Sequence, residues 1–498
     1  MRALVLGLAA SLAWGGVAAA QAQPAQSAEA PAGDESAQAE NDPVPTEAPG
    51  ATESAPTKSD PGATESAPTK SAPDPVAPAT TKGLDLLDRV LPCGTRVLVA
   101  RDDSLPVASV ILALEHGSED DPDELPGLHH ALAYQLLMGN RGTAPGGIQS
   151  MVQDAGGIAF LATGPAQTRF ESLVPMTLLD ELIAAEASRL RAPTVTESLW
   201  KETLISARRD PARRRTASWR ATAIAHGAPG LGHRPREVPD ALGELDVPRV
   251  QSELASRARY EFATMVVVAP LPLEDTFKKI EAALSDLPDR RRRAPTRAVA
   301  PAGRVLEQAK APGNTFVWAV PGEPAARLWA DAWCETISRQ RRGKGEPKPN
   351  RVRCAFDDDP RRPTLTVRVR TPGDPAALLE TRMKRLTGKG DRVLRGPRRR
   401  LQQALTVELG TPLGLARRLA ASASTPTVRS LDAATGLDAL QGPSPDVSAV
   451  FPMDRAVRIV APGTASAGPQ SETPAEASPA AEPAEAPVTT PPGNEAGE

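Results

Sequence analysis

GLHHALAYQLLMGN, residues 127–140, is the stretch on which the fold turns. Leu125, Leu128, Leu132 and Leu136 fall at i, i+3, i+7 and i+11, one face of a helix that Gly139 closes. Upstream, LPCGTRVLVARD (91–102) reads as strand, Cys-Gly turn and strand, and LPVASVILALEHGS (105–118) as an apolar, β-branched strand. Downstream, GGIQSMVQDAGG (146–157) is a short helix ended by glycines. IAFLATGPAQTRFESLVP (158–175) reads as two strands around Gly164-Pro165, and MTLLDELIAAEASRLRAP (176–193) as an amphipathic helix stopped by Pro193. SLWKETLISARRD (198–210) opens another helix, YEFATMVVVAP (260–270) is a buried strand, and LEDTFKKIEAALSDLP (273–288) is a helix. Strands and helices mix without strict βαβ alternation, which predicts α+β layers of sheet against helix.

Past the Arg/Pro junction at 290–295 a similar order returns. NTFVWAVPG (314–322) is a strand and 325–342 a helix; TLTVRVRTPG (364–373) alternates like a half-exposed strand. Helices come next at 374–388, 395–409 and 412–421, and AVRIVAPG (456–463) closes as a strand. The expected organisation is two related halves, 82–295 and 296–463, the second shorter and more eroded. Residues 1–20 read as a signal peptide: Arg2 gives the positive start, Ala3 to Ala13 the apolar run, and Ala18 to Ala22 the small residues for cleavage. Residues 21–81, with PGATESAPTKS repeated at 49–59 and 61–71, and the Ala/Pro/Glu tail 464–498 cannot bury enough apolar surface to order a chain, so both flanks are expected to be disordered.

Charge is divided unevenly. Residues 1–81 hold 10 acidic and 3 basic residues, the tail 6 acidic and none basic, so the core between them is net basic. Its arginine clusters (Arg213–Arg215, Arg290–Arg293, Arg398–Arg400) are not interleaved with aromatics, which argues against a nucleic-acid partner. No stretch beyond the leader has the length and apolarity to span a bilayer. The expected location is exported, periplasmic or extracellular. Of three cysteines, Cys334 and Cys354 are candidates for a disulfide in such a compartment, which leaves Cys93 unpaired.

Taken together, LPCGTRVLV (91–99), EHGSEDDPDE (115–124), GLHHALAYQLLMGN (127–140) and AGGIAFLATGPAQTRF (155–170) resemble, in order, the opening blocks of the inverzincin zinc peptidases: pitrilysin, insulinase and the mitochondrial processing peptidase. HGAPGLGHRP (226–235) and 260–288 continue the likeness, and 296–463 follows it by order of elements. The resemblance implies a processing-peptidase-like fold and a zinc held by H-x-x-E-H on one helix, where residues i and i+4 share a face and the Glu between them is the general base. Here the motif reads His130, Ala131, Leu132, Ala133, Tyr134. The first His is kept, Ala133 stands for the catalytic Glu, and Tyr134 stands for the second His. The third ligand is a Glu on a later helix, the second of two acidic residues seven apart; Glu202 is matched, but the next position is Arg209. The Asn that holds substrate backbone falls at Phe160. A relocated metal site would have to draw on His226, His233 and a carboxylate.

These losses predict a pseudo-metallopeptidase without cofactor. The expected role is the inactive partner subunit of a zinc peptidase that encloses unfolded peptide, paired with an active homologue or with itself as a dimer. The alternative is a stand-alone peptide-binding or cell-envelope structural protein.

Overall fold

In the computed structural model the described residues are 85–139, 144–191, 193–210, 218–228, 238–292, 305–307, 314–339, 351–359, 362–387, 390–423, 428, 435–443 and 445–460. The leader, the repeat-bearing linker and the acidic tail lie outside them. Six strands come from the first block: β1 (Leu86–Val90), β2 (Arg96–Arg101), β3 (Val107–Leu114), β4 (Ile158–Thr163), β5 (Thr168–Pro175) and β6 (Ala263–Ala269). They form a sheet of order β1-β2-β6-β3-β5-β4, antiparallel except for β2 with β6. Gly94 makes the β1–β2 turn at φ +87°, where an added Cβ would meet the Arg290 carbonyl at 2.7 Å.

The helices of this block are α1 (Leu128–Met138), α2 (Gly147–Asp154), α3 (Leu179–Arg191), α4 (Glu197–Arg209), α5 (Ser218–His226), α6 (Val247–Arg257) and α7 (Leu273–Leu284). One face of the central strands, with Val97, Val110, Leu112 and Val267, packs into a single core with Leu128 and Leu132 of α1, Leu182 of α3 and Ile280 of α7. Each such side chain contributes roughly 1.5–3 kcal/mol by leaving water.

The second block supplies β7 (Val305–Glu307), β8 (Asn314–Ala319), β9 (Arg351–Asp357), β10 (Thr364–Arg370) and β11 (Val457–Val460), in the order β7-β11-β8-β10-β9. Its helices are α8 (Pro324–Arg339), α9 (Pro375–Thr387), α10 (Gly390–Leu409) and α11 (Pro412–Ala421). Phe316, Trp318, Leu365 and Val367 bury one sheet face against Trp329, Trp333 and Leu379. Cys334 on α8 and Cys354 on β9 are joined by a disulfide, Cα atoms 5.1 Å apart, while Cys93 is free and buried. The sequence pattern predicts none of α5, α6, β7 and β9. It starts α10 at 395, whereas the helix begins at Gly390 and carries Pro397 inside it.

The two blocks trade helices. The second face of the first sheet (Leu98, Ala100, Ile111, Val266, Val268) is covered by Leu415, Ala416 and Leu419 of α11. The second face of β8 and β11 (Val317, Val457, Ile459) is covered by Ala221 and Ala225 of α5. This explains the unbroken apolar runs of β3 and β6: strands covered on both faces need no polar alternation. Polar ties run along the same seam. Arg362 meets Glu119 at 2.7 Å, both about nine-tenths buried, Arg96 donates to the Ala423 carbonyl at 2.8 Å, and His226 Nε2 lies 3.0 Å from Thr364 Oγ1.

Candidate functional site

The site is set by how α1 begins. Asp121 accepts from the backbone N–H of Gly127 at 2.8 Å and of His129 at 2.7 Å, satisfying two donors that a helix start leaves unpaired. Burial pushes the Asp121 carboxyl up to about 7, against the pull of those two donors and of Arg257. His129 is buried on the side of α1 that faces β5, with Nε2 2.7 Å from Thr168 Oγ1, and burial lowers its pKa to about 3, so it stays neutral. His130 points elsewhere, toward β4 and α4.

Both ring nitrogens of His130 are engaged. Nδ1 lies 2.9 Å from Thr163 Oγ1 on β4, and Nε2 lies 3.3 Å from the Ala207 carbonyl on α4. A carbonyl only accepts, so Nε2 donates to it. The ring is 2% exposed. Tyr134, one turn on, meets it edge to face with centroids 5.1 Å apart, and Ala133 is buried. Glu202 and Arg209 are exposed on α4. The carboxylate that approaches His130 is instead Asp210, the residue that ends α4, with Oδ2 3.9 Å from Nε2. A count of seven from Glu202 stops one residue short of it, because Asp210 turns back from the helix end rather than continuing its face. That turn is a tertiary event with no marker in the spacing.

A zinc ion does not fit this arrangement. One imidazole, already bonded at both nitrogens, and one carboxylate fall short of the three protein ligands that catalytic zinc sites use. Among the described residues no three His, Cys, Asp or Glu side chains group to hold a metal. Of the relocated set, His226 is buried against Thr364 and His233 lies outside the described residues.

Beside His130 runs β4, the edge of the first sheet. Phe160 sits on it, half-buried, with the Arg417 guanidinium of α11 5.4 Å from the ring centroid. Arg417 is held there by buried Glu171 at 2.6 Å, which also takes Arg169 at 2.8 Å.

No protein-family model matches the sequence, and no curated protein matches it. Solved structures do. A protease from Helicobacter pylori aligns over 76% of this chain and 99% of its own, at TM-score 0.59 and 13% identity. The first half of the periplasmic protease PqqL from Escherichia coli aligns over 75% and 91%, at TM-score 0.56 and 14% identity. The ferredoxin protease FusC, solved in complex with Arabidopsis ferredoxin, aligns over 76% of this chain but 48% of its own, at TM-score 0.57 and 13% identity. The chain therefore has the pitrilysin-like peptidase fold, in mixed α+β layers, and spans the whole of one such protease and about half the length of another. Among the described residues no helix is long and apolar enough to cross a membrane.

Proposed function

We propose that this chain is an exported peptidase homologue that does not itself cleave peptides and that supplies the non-catalytic wall of a peptide-enclosing assembly. The partner is a homologue of the same fold with an intact zinc motif, or a second copy of this chain. The observation that carries this reading is His130: both nitrogens are taken by Thr163 and Ala207, and its helix offers Ala133 and Tyr134 where the base and second ligand belong. The 48% cover of FusC supports a unit that works against a second unit of its kind. The leader at 1–20 supports export.

A second reading, a stand-alone peptide-binding or envelope structural protein, draws on Arg417. Its guanidinium lies 5.4 Å from the Phe160 ring on the edge strand and is held by Glu171, so the wall beside His130 is completed from within this chain.

The test is a pull-down of tagged mature protein from its own envelope extract, with metal analysis of the purified chain. A stoichiometric partner carrying intact H-x-x-E-H, and a purified chain free of zinc, are the expected results. One zinc per chain with chelator-sensitive hydrolysis overturns the non-catalytic reading. Absence of a zinc-bearing partner and of self-association leaves the stand-alone role.

A further inference from the structure

The outer end of the second sheet carries four arginines that no described residue balances. Antiparallel pairing sets Arg353 directly opposite Arg368 and Arg351 opposite Arg370, so all four share one face of β9 and β10. Like charges facing across a strand pair are destabilising. Arg351, Arg353 and Arg370 are exposed and Arg368 half-exposed, and none makes an ion pair or side-chain hydrogen bond with another described residue. Helix α5 covers this same face over β8 and β11 and reaches β10 at its far end, where His226 meets Thr364, four residues from Arg368. Strand addition at the β9 edge is not the use of the patch: Ser338 Oγ accepts from the Cys354 N–H at 2.8 Å and blocks the middle of that edge.

Register identifies the occupant. Ile459 of β11 pairs with Thr315, Thr315 with Arg368, and Arg368 with Arg353, so the four lie in one row across the sheet. At about 4.8 Å per strand, Ile459 is about 10 Å from Arg368 and about 14 Å from Arg353. β11 and β10 both run antiparallel to β8, so the chain leaves β11 toward the Arg370/Arg351 end of the patch. The segment after β11, residues 461–498, holds Glu472, Glu476, Glu482, Glu485, Glu495 and Glu498 and no Lys or Arg. The first of these glutamates comes twelve residues after Val460. A coil of that length spans roughly 17–21 Å on average, enough to bring Glu472 over the patch.

We propose that the acidic tail, residues 461–498, docks in cis on the Arg351/Arg353/Arg368/Arg370 face and screens it. Single exposed ion pairs are weak, so the docking depends on several glutamates and on the high effective concentration of a tethered segment. Tail and patch together form a built-in competitor against any outside acidic segment.

The probe is a fluorescent peptide of residues 461–498, followed by anisotropy against full-length chains. Against wild type, the tethered tail is expected to keep the peptide off. When the six tail glutamates of the chain are changed to Gln, the peptide is expected to bind at least ~10-fold tighter than to wild type. Adding Arg351→Gln, Arg353→Gln, Arg368→Gln and Arg370→Gln to that chain abolishes the gain, the same four changed to Lys preserve it, and ~0.5 M salt removes it. The Lys set guards against loss of fold, and Arg351→Gln with Arg353→Gln alone gives an intermediate loss. Equal binding to the Gln and Arg patches, or no binding to the tail-neutralised chain, overturns the proposal. If polyglutamate binds that chain and the tail peptide does not, the patch serves an outside polyanion and the proposal falls.

Discussion

His130, Ala133 and Tyr134 lie on one helix, α1, at the spacing that H-x-x-E-H would occupy, so the proposed non-catalytic reading can be tested by changing side chains alone. His130 is in place, and Asp210 stands 3.9 Å from it. Restoring the motif with Ala133→Glu and Tyr134→His is expected to give a chain that takes up zinc through His130, the introduced imidazole and Asp210. Metal analysis after dialysis reads about one zinc per chain for the double variant and none for wild type. A double variant without zinc would mean that Asp210 cannot turn from its present position into the metal site. In the present protein His130 is a structural hydrogen-bonding group that joins β4 to α4. His130→Ala removes the imidazole partner of the Thr163 hydroxyl and leaves the Ala207 carbonyl only the Asp210 N–H, and is expected to cost about 1–3 kcal/mol, read from the denaturant midpoint.

At the scale of elements, α1 is anchored by a buried carboxylate, and this gives it a pH dependence. The Asp121 pKa rises from an ordinary 3.8 to about 7 on folding. Between those values the folded state holds the proton more tightly than the unfolded state, so this group's contribution to stability falls as pH rises from about 4 to about 7. His129 runs the other way: its pKa falls to about 3, so stability from it grows as pH rises from about 3 to about 6.5. The two partly cancel in the intact protein, and a variant separates them. Asp121→Asn keeps one acceptor at the helix start and cannot ionise. The stability of the Asn variant relative to wild type is therefore expected to improve steadily from pH 4 to pH 7 in thermal melts. A constant difference across that range would mean that Asp121 is ionised throughout.

For the whole molecule, the traded helices make one body of the two blocks. Leu419 belongs to the second block in sequence but is buried against Leu98, Ile111 and Val266 of the first. Leu419→Ala is expected to cost about 2–5 kcal/mol and to lower hydrogen-exchange protection in both sheets together, with one melting transition rather than two. Two separate transitions would mean that the blocks hold together on their own. Most elements are legible in the sequence, because a leucine stripe at 125–136 or an apolar run at 263–269 is local information. β9 is not, because Arg351 and Arg353 interrupt it and its pairing with β10 is not a local property. The reading of Ala133 and Tyr134 against H-x-x-E-H needs the sequence alone, since that motif lies within two helical turns. Tertiary structure alone decided which helix covers which sheet, that Asp210 rather than residue 209 approaches His130, and that Arg353 and Arg368 share a row with Ile459 at the tail's point of exit while Arg351 and Arg370 lie beside them on the same face. An apolar face requires only that something cover it; long-range packing selects the element that does.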